Sequence, residues 1–261
     1  MQNKVKILAI GDVTSPAGIE HLEKNLWKIR KEKGIDLSVV NGENAAFVTG
    51  ISPELADTLL KSGADVIPGG NHTLRNTRTF TYLDDTREIL RPINFGDSVP
   101  GHGYTIVDAA GYRVLVINAM GNIHIEPTLD NPYRYIDKIL KDEAGRYDFS
   151  VLDIHAEATG EKCAIAYAYD GKINVIFGTH THVQTADERI LPLGTGYITD
   201  VGMCGESGGV IGMDAECVVA RMRTRLSHKF KAAGGACVAN GVIFTLDTAT
   251  GRVTAVERIS F

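Results

Sequence analysis

The chain has 261 residues, enough for one large domain or two small ones, and 44% of them are hydrophobic, which is ample for a buried core and excludes a disordered or fibrous chain. Lys and Arg number 27 against 32 Asp and Glu, a net charge of −5, so no chain-wide basic field exists to hold a long nucleic acid, and any phosphate must meet local positive charge.

Val5 to Ile10 is a short apolar run with β-branched residues and reads as a strand; Ile19, Leu22, Leu26 and Ile29 then recur at helical spacing. The Val5 to Ile10 run is too short for a signal-peptide core or a membrane span, so a cytoplasmic, non-membrane protein is expected. Leu37 to Val40 is a second strand. Ser52-Pro53 is an N-cap followed by proline at the first helical position, with Leu55, Leu59 and Leu60 as its apolar stripe. Asp65 to Pro68 is a third strand, and the β-α-β order predicts a parallel sheet covered by helices. Tyr104 to Asp108 and Arg113 to Asn118 flank Ala109-Ala110-Gly111 as a hairpin. Asn131 to Ala144 has helical spacing, Phe149 to Ile154 and Ile173 to Phe177 are buried strands, and Val242 to Leu246 with Val253 to Ile259 form a second hairpin. The glycine-rich stretches 205–212 and 234–241 read as surface loops. No repeat or Pro/Ser-rich linker divides the chain, so one α/β domain over 1–261 is expected.

Polar residues follow the carboxyl ends of the predicted strands. Ile10 leads to Asp12, Val40 to Asn41-Gly42-Glu43-Asn44, Ile67 to Gly70-Asn71-His72, Ile154 to His155, and Phe177 to Gly178-Thr179-His180-Thr181-His182. Those ends form one rim in an open α/β sheet, which is where ligands bind. Each residue alone has an ordinary explanation: a turn aspartate, a polar loop, a satisfied core histidine. Together they supply oxygen and nitrogen donors without a thiolate, a set larger than one tetrahedral ion needs and suited to two ions sharing a carboxylate. If His180-Thr181-His182 is extended, its imidazoles at i and i+2 share a face. His21, His102, His124 and His228 have no such company and read as surface or packing residues. Cys163, Cys204, Cys217 and Cys237 contain no CxxC pair and read as reduced packing residues; Cys204 is a weak nucleophile candidate without a placed base.

At these residues the sequence resembles the calcineurin-like metallophosphoesterases, and within them the bacterial YmdB-like 2′,3′-cyclic-nucleotide 2′-phosphodiesterases, over nearly its whole length. The specific text is Asn41-Gly42-Glu43-Asn44-Ala45-Ala46, Asp153 to Thr159, Gly178 to Leu191 and Ile198 to Met203. The resemblance implies a layered sheet sandwich flanked by helices, with a dimetal site at the strand ends. It implies Asp12, Glu43, Asn44 and His182 around one metal, Glu43 bridging to a second held by Asn71, His155 and His180, and His72 as proton donor. The ions would be iron or manganese, and a metal-bridging hydroxide would open a small cyclic-nucleotide diester to a 3′-nucleotide. The superfamily's histidine two residues after the first aspartate is replaced by Thr14, with Asn44 taking its place. The sequence also departs from the expected pattern at Gly18-Ile19-Glu20 and at Leu74-Arg75, which bears on the substrate pocket. A broader phosphomonoesterase or protein phosphatase, and a non-catalytic metal- or nucleotide-sensing regulator, stay open as alternatives, as does a homo-oligomer.

Overall fold

A computed structural model describes residues 3–47 and 50–261. The chain runs through β1 (Lys4–Ile10) and the short β2 (Asp12–Val13) into α1 (Pro16–Lys33). Ser15 starts this helix by accepting the Gly18 N–H, Pro16 fixes its first turn, and Gly34, at φ 65°, closes it by donating to the Arg30 carbonyl. β3 (Leu37–Val40), α2 (Pro53–Lys61) and β4 (Ile67–Pro68) follow; Ser52 caps α2 through the Leu55 N–H, as its Ser-Pro start predicts. Then come α3 (Phe80–Asp85), β5 (Ile89–Leu90), the hairpin β6 (Tyr104–Ala109) and β7 (Tyr112–Met120), and α4 (Pro132–Asp142). β8 (Phe149–His155), α5 (Thr159–Ala168), β9 (Val175–Thr179), β10 (Arg189–Ile190), β11 (Gly196–Ile198) and β12 (Met203–Glu206) lead to α6 (Ala215–Thr224) and the closing hairpin β13 (Cys237–Asp247) and β14 (Val253–Ser260).

These strands build two main sheets, where the β-α-β order alone predicts one. The first runs β2-β12-β13-β1-β3, with β14 on the other side of β13, and β1 pairs parallel to β3 but antiparallel to β13. The second runs β10-β11-β9-β8-β7-β6 and is parallel from β7 through β8 and β9 to β11. The two sheets pack face to face. Val5, Ile7 and Ala9 of β1 join Val114 and Val116 of β7 and Val175 and Phe177 of β9 in one cluster. The intervening residues point outward, Leu8 and Ile10 onto Leu22 and Leu26 of α1, and Leu115, Ile117 and Leu152 onto Ile136 and Ile165 of α4 and α5. Period-2 alternation with both faces apolar is what a sheet covered on both sides requires, and the result is a helix-sheet-sheet-helix sandwich.

The two stretches expected as loops are partly strand. Met203–Glu206 pairs with Cys237 to Ala239, and β13 begins within the second stretch. No helix among the described residues is long and apolar enough to cross a membrane.

Candidate metal centre

The carboxyl ends of β1, β3, β8 and β9 meet where the two sheets face each other. Asp12, Glu43 and His155 are buried there, with one donor atom from each lying within 4.8 Å of the others, close enough for a single ion to touch all three. Asp12 Oδ2 accepts the His180 N–H at 2.9 Å, whereas Asp12 Oδ1 is buried with no hydrogen-bond partner. Glu43 Oε2 accepts the His72 N–H at 3.0 Å and lies 3.8 Å from His155 Nε2. Gly70 has no room for a side chain, because a Cβ there would stand 2.4 Å from His155 Nε2.

The three histidines are arranged alike. His155 turns Nε2 toward Asn71 Oδ1 (3.0 Å) and His180 Nδ1 (3.1 Å), while its Nδ1 lies 3.0 Å from Thr179 Oγ1. His180 directs Nδ1 inward and Nε2 to Glu157, 3.2 Å away. His182 directs Nε2 to Asn44 Nδ2 (3.2 Å) and Nδ1 to the Ile211 carbonyl (3.0 Å). Each ring thus has one nitrogen toward the cluster and the other held by an outer polar atom, the arrangement that fixes tautomer and direction in metal-binding histidines.

Burial pushes the Asp12 carboxyl up to about 7 against the pull of His182. Glu43 is also pushed up by burial, but the hydrogen bonds it accepts from His72 draw it below the usual carboxylate range. Burial keeps His155 well below the usual imidazole range and lowers His180, so both rings favour the neutral form that can donate a lone pair. An unpartnered buried carboxylate oxygen beside neutral, inward-pointing imidazoles fits a cation, and every donor is oxygen or nitrogen.

All eight residues singled out in the sequence come to this rim, but not all in the expected manner. His180 and His182 do not lie on an extended strand: β9 ends at Thr179, and the two histidines have φ of 99° and 64°. Their rings reach the cluster because the backbone enters a region L-residues rarely occupy, the kind of local strain that collects at functional sites. Asn44 presents its amide nitrogen to His182 and Glu43 and its Oδ1 to His72 Nδ1 at 2.6 Å; ligation through Oδ1 therefore requires the amide to turn over. Thr14 stands outside, its hydroxyl donating to the Cys204 carbonyl at 3.4 Å. Cys204 itself is buried and burial pushes its thiol up, which is the opposite of an activated nucleophile. His21 stacks on Phe261 and His102 lies 3.2 Å from the Asp84 carbonyl, away from the rim.

A supporting layer was missed from the sequence. Asp153 accepts from Asn41 Nδ2 at 2.8 Å and Thr179 Oγ1 at 2.7 Å, and Asn41 Oδ1 in turn accepts the Glu43 N–H at 3.0 Å. Lys162 on α5 donates to Asp200 Oδ2 at 2.8 Å and to the Thr179 carbonyl at 2.7 Å, and Asp200 accepts the N–H and hydroxyl of Thr181. One signal for this layer was present: a lone aspartate inside the apolar run Val151-Leu152-Asp153-Ile154 must have a buried partner.

An open pocket of about 310 Å3 lies above the centre, lined by Glu43, Asn44, His72, Glu157, His180, Thr181, His182, Ile211 and Met213. The fold and this centre define an α/β sandwich with a candidate metal site at the joined strand ends. A family model for YmdB-like protein matches residues 8–259, and the chain belongs to that family. A 2′,3′-cyclic-nucleotide 2′-phosphodiesterase of Bacillus subtilis (strain 168) is 40% identical over 255 residues, 98% of this chain and 96% of that protein. Two crystal structures share the fold: a novel phosphatase from Mycoplasma pneumoniae (TM-score 0.92, 32% identity, 100% of this chain and 94% of that one) and a hypothetical protein from Thermus thermophilus (TM-score 0.91, 34% identity, 98% and 99%).

Proposed function

We propose that this chain, as one domain over 1–261, is a metal-dependent phosphodiesterase that opens 2′,3′-cyclic nucleotides to 3′-nucleotides. One coincidence carries the reading: a chain alignable over 98% of its length with a phosphodiesterase of that activity gathers three inward-turned imidazoles around two buried carboxylates. Asp12, Glu43, Asn44 and His182 would hold one ion, and Glu43, Asn71, His155 and His180 a second, with iron or manganese suited to this mixed donor set. Bound there, the ions supply positive charge for the phosphoryl oxygens and make water acidic enough to attack at neutral pH.

The chain's own residues do the rest. Thr179, Glu157 and the Ile211 carbonyl keep the three imidazoles aimed inward. With the Asn44 amide turned over to ligate, its Nδ2 would take the position 2.6 Å from His72 Nδ1 and donate to it, which puts the ring proton on Nε2, free to pass to the departing 2′ oxygen. The pocket is open on one side, which admits a small diester and exposes the leaving group to that ring.

The test is turnover of 2′,3′-cyclic AMP by protein loaded with manganese or iron, with the product resolved by chromatography. The expected product is the 3′-phosphate. No turnover with metal bound, or release of the 2′-phosphate instead, overturns the reading.

A further inference from the structure

The catalytic pocket shares a wall with a second hollow. Ile211 and Met213 line both, and on their far side a groove of about 470 Å3 is bounded by Arg221, Met222, Arg225 and Phe230. The wall is tied to the centre, since His182 Nδ1 lies 3.0 Å from the Ile211 carbonyl. It belongs to an excursion between β12 and β13 that folds on itself: Met213 bridges to Val210 and Ala232, and the Asp214 N–H donates to the Lys231 carbonyl at 2.9 Å. Within this excursion α6 buries only Val218 and leaves Met222 70% exposed, and Leu226, just past the helix end, is 65% exposed.

Charge separates this groove from an ordinary apolar patch. Residues 217–236 contain no Asp or Glu, but carry Arg221, Arg223, Arg225, Lys229 and Lys231. None of the five is paired with a carboxylate among the described residues. The chain as a whole carries −5, so this is the local field that a phosphate-handling protein of acidic composition needs. Phe230, with the Arg221 guanidinium 4.7 Å from its ring centroid, adds an aromatic face beside the cations. Apolar and aromatic walls interleaved with unpaired guanidinium groups are the chemistry that holds bases and phosphates of a single strand. A cyclic mononucleotide spends its one phosphate in the catalytic pocket and has none left for these arginines.

We propose that the substrate of this site is the 3′ end of an oligoribonucleotide terminating in a 2′,3′-cyclic phosphate, with the preceding nucleotides laid along the groove of Arg221, Arg225 and Phe230. This rests on the phosphodiesterase reading above. The strand must be RNA, because only ribose has the 2′ oxygen of the cyclic diester. Hydrolysis balances with water alone: its oxygen bonds to phosphorus, the bond from phosphorus to O2′ breaks, O2′ takes a proton, and a 3′-phosphomonoester end with a free 2′-hydroxyl remains.

The test compares kcat/KM of the metal-loaded full chain on 2′,3′-cyclic AMP and on a six-residue oligoadenylate ending in 2′,3′-cyclic phosphate. The hexamer should be favoured at least tenfold at low salt, through KM. Each phosphate contact to a single strand contributes about 0.7 to the log-log salt slope, so two contacts predict that a fourfold rise in salt cuts the advantage about sevenfold. Arg221→Ala combined with Arg225→Ala should bring the ratio of the two substrates toward one, and the salt response of the parent protein provides the same reading without any variant. A hexamer turned over no better than the mononucleotide, or an advantage indifferent to both salt and the arginines, overturns the proposal. Arginine-dependent binding to anionic phosphatidylserine vesicles with no hexamer advantage also overturns it and makes the groove a lipid surface. Turnover of neither substrate sinks the phosphodiesterase reading itself, whereas failure of the present proposal leaves mononucleotide turnover intact.

Discussion

Asp12, Asp153 and His155 are fully buried at the joined ends of two sheets, and Glu43 is 1% exposed; across the Ile211–Met213 wall, Met222 on α6, a helix that buries one residue, and Leu226 just past its end stand mostly in solvent. The first region holds charge where it is expensive, and nearly every polar atom there is hydrogen-bonded to another member of the network. One exception is Asp12 Oδ1, which has no hydrogen-bond partner and lies 3.7 Å from His155 Nδ1. The second region holds its charge in water, unpaired. A buried network tolerates few substitutions because each group supports the next, whereas a solvated basic segment can change sequence with little effect on the fold. As proposed, chemistry belongs to the first region and choice of substrate to the second, and variants in each should separate the two.

The largest effect is expected from Glu43→Gln. In the proposed centre this carboxylate is the group assigned to both ions; its Oε2 accepts from the His72 N–H and lies 3.8 Å from His155 Nε2. Glutamine retains the size and one acceptor but removes the charge. Metal content, measured by elemental analysis, and hydrolysis should be lost together, while the circular dichroism spectrum stays that of the parent. A variant that kept both ions and normal turnover would remove the carboxylate from the centre.

Next in size is His72→Ala. Its ring lines the open pocket and is 15% exposed, unlike the buried His155, and it should act on the substrate without holding metal. General acid catalysis contributes about 100- to 10,000-fold. The loss should appear with alkoxide leaving groups such as the ribose 2′ oxygen and nearly vanish with an aryl phosphodiester, whose leaving group needs no proton. Equal losses on both substrates, or depletion of an ion, would place His72 among the positioning residues or the ligands.

Much of this was legible in the sequence because strands buried on both faces leave mainly apolar runs, broken here by Lys6, Ser38, Ser150 and Asp153, and the residues that follow each run mark its carboxyl end. Val5 to Ile10, Leu37 to Val40 and Phe149 to Ile154 are such runs, and Asp12, Glu43 and His155 follow from them. Three things were hidden. The split into two sheets depends on β13 returning antiparallel beside β1, a pairing between residues more than 230 positions apart that no local pattern records. β12 reads as a loop because it is Met203-Cys204-Gly205-Glu206, yet Gly205 is there for close approach, since a Cβ would stand 2.0 Å from Thr14 Oγ1. The positive φ of His180 and His182 is imposed by anchors outside their own segment, Asp12 on the His180 N–H and Asp200 on Thr181.

Those anchors supply the third prediction. Lys162 and Asp200 are 1% and 0% exposed and meet at 2.8 Å beneath the His180–His182 turn. Lys162→Met keeps the apolar stem but leaves Asp200 a buried charge without its cation, a change that typically costs about 3–5 kcal/mol. Urea unfolding should show that loss, and turnover should fall because Asp200 holds Thr181 between the two histidines. Adding Asp200→Asn should recover part of the stability, since the orphaned charge is then gone. A lysine variant as stable as the parent would mean that the Thr181 and Gly202 N–H donors satisfy Asp200 by themselves.

The smallest effect is expected on the other side of the wall. Met222→Ser with Leu226→Ser removes two side chains that are 70% and 65% exposed, so little apolar area is returned to water and nothing buried loses a partner. Exposed substitutions of this kind stay within about 0.5 kcal/mol. The urea midpoint should therefore barely move, in contrast with the several kcal/mol expected at Lys162. Two conditions make the measurement informative. Arg225 at the helix end, in the left-handed region with its N–H donated to the Arg221 carbonyl, is left in place, so α6 keeps its terminus. Val218, the one buried residue of the helix, is also untouched, so any large loss must come from the exposed face itself. A drop above about 1 kcal/mol would show that Met222 or Leu226 is covered in solution, by the body of the protein or by a second copy. Equilibrium sedimentation of the parent and the variant distinguishes those two, since only the second predicts a change of mass.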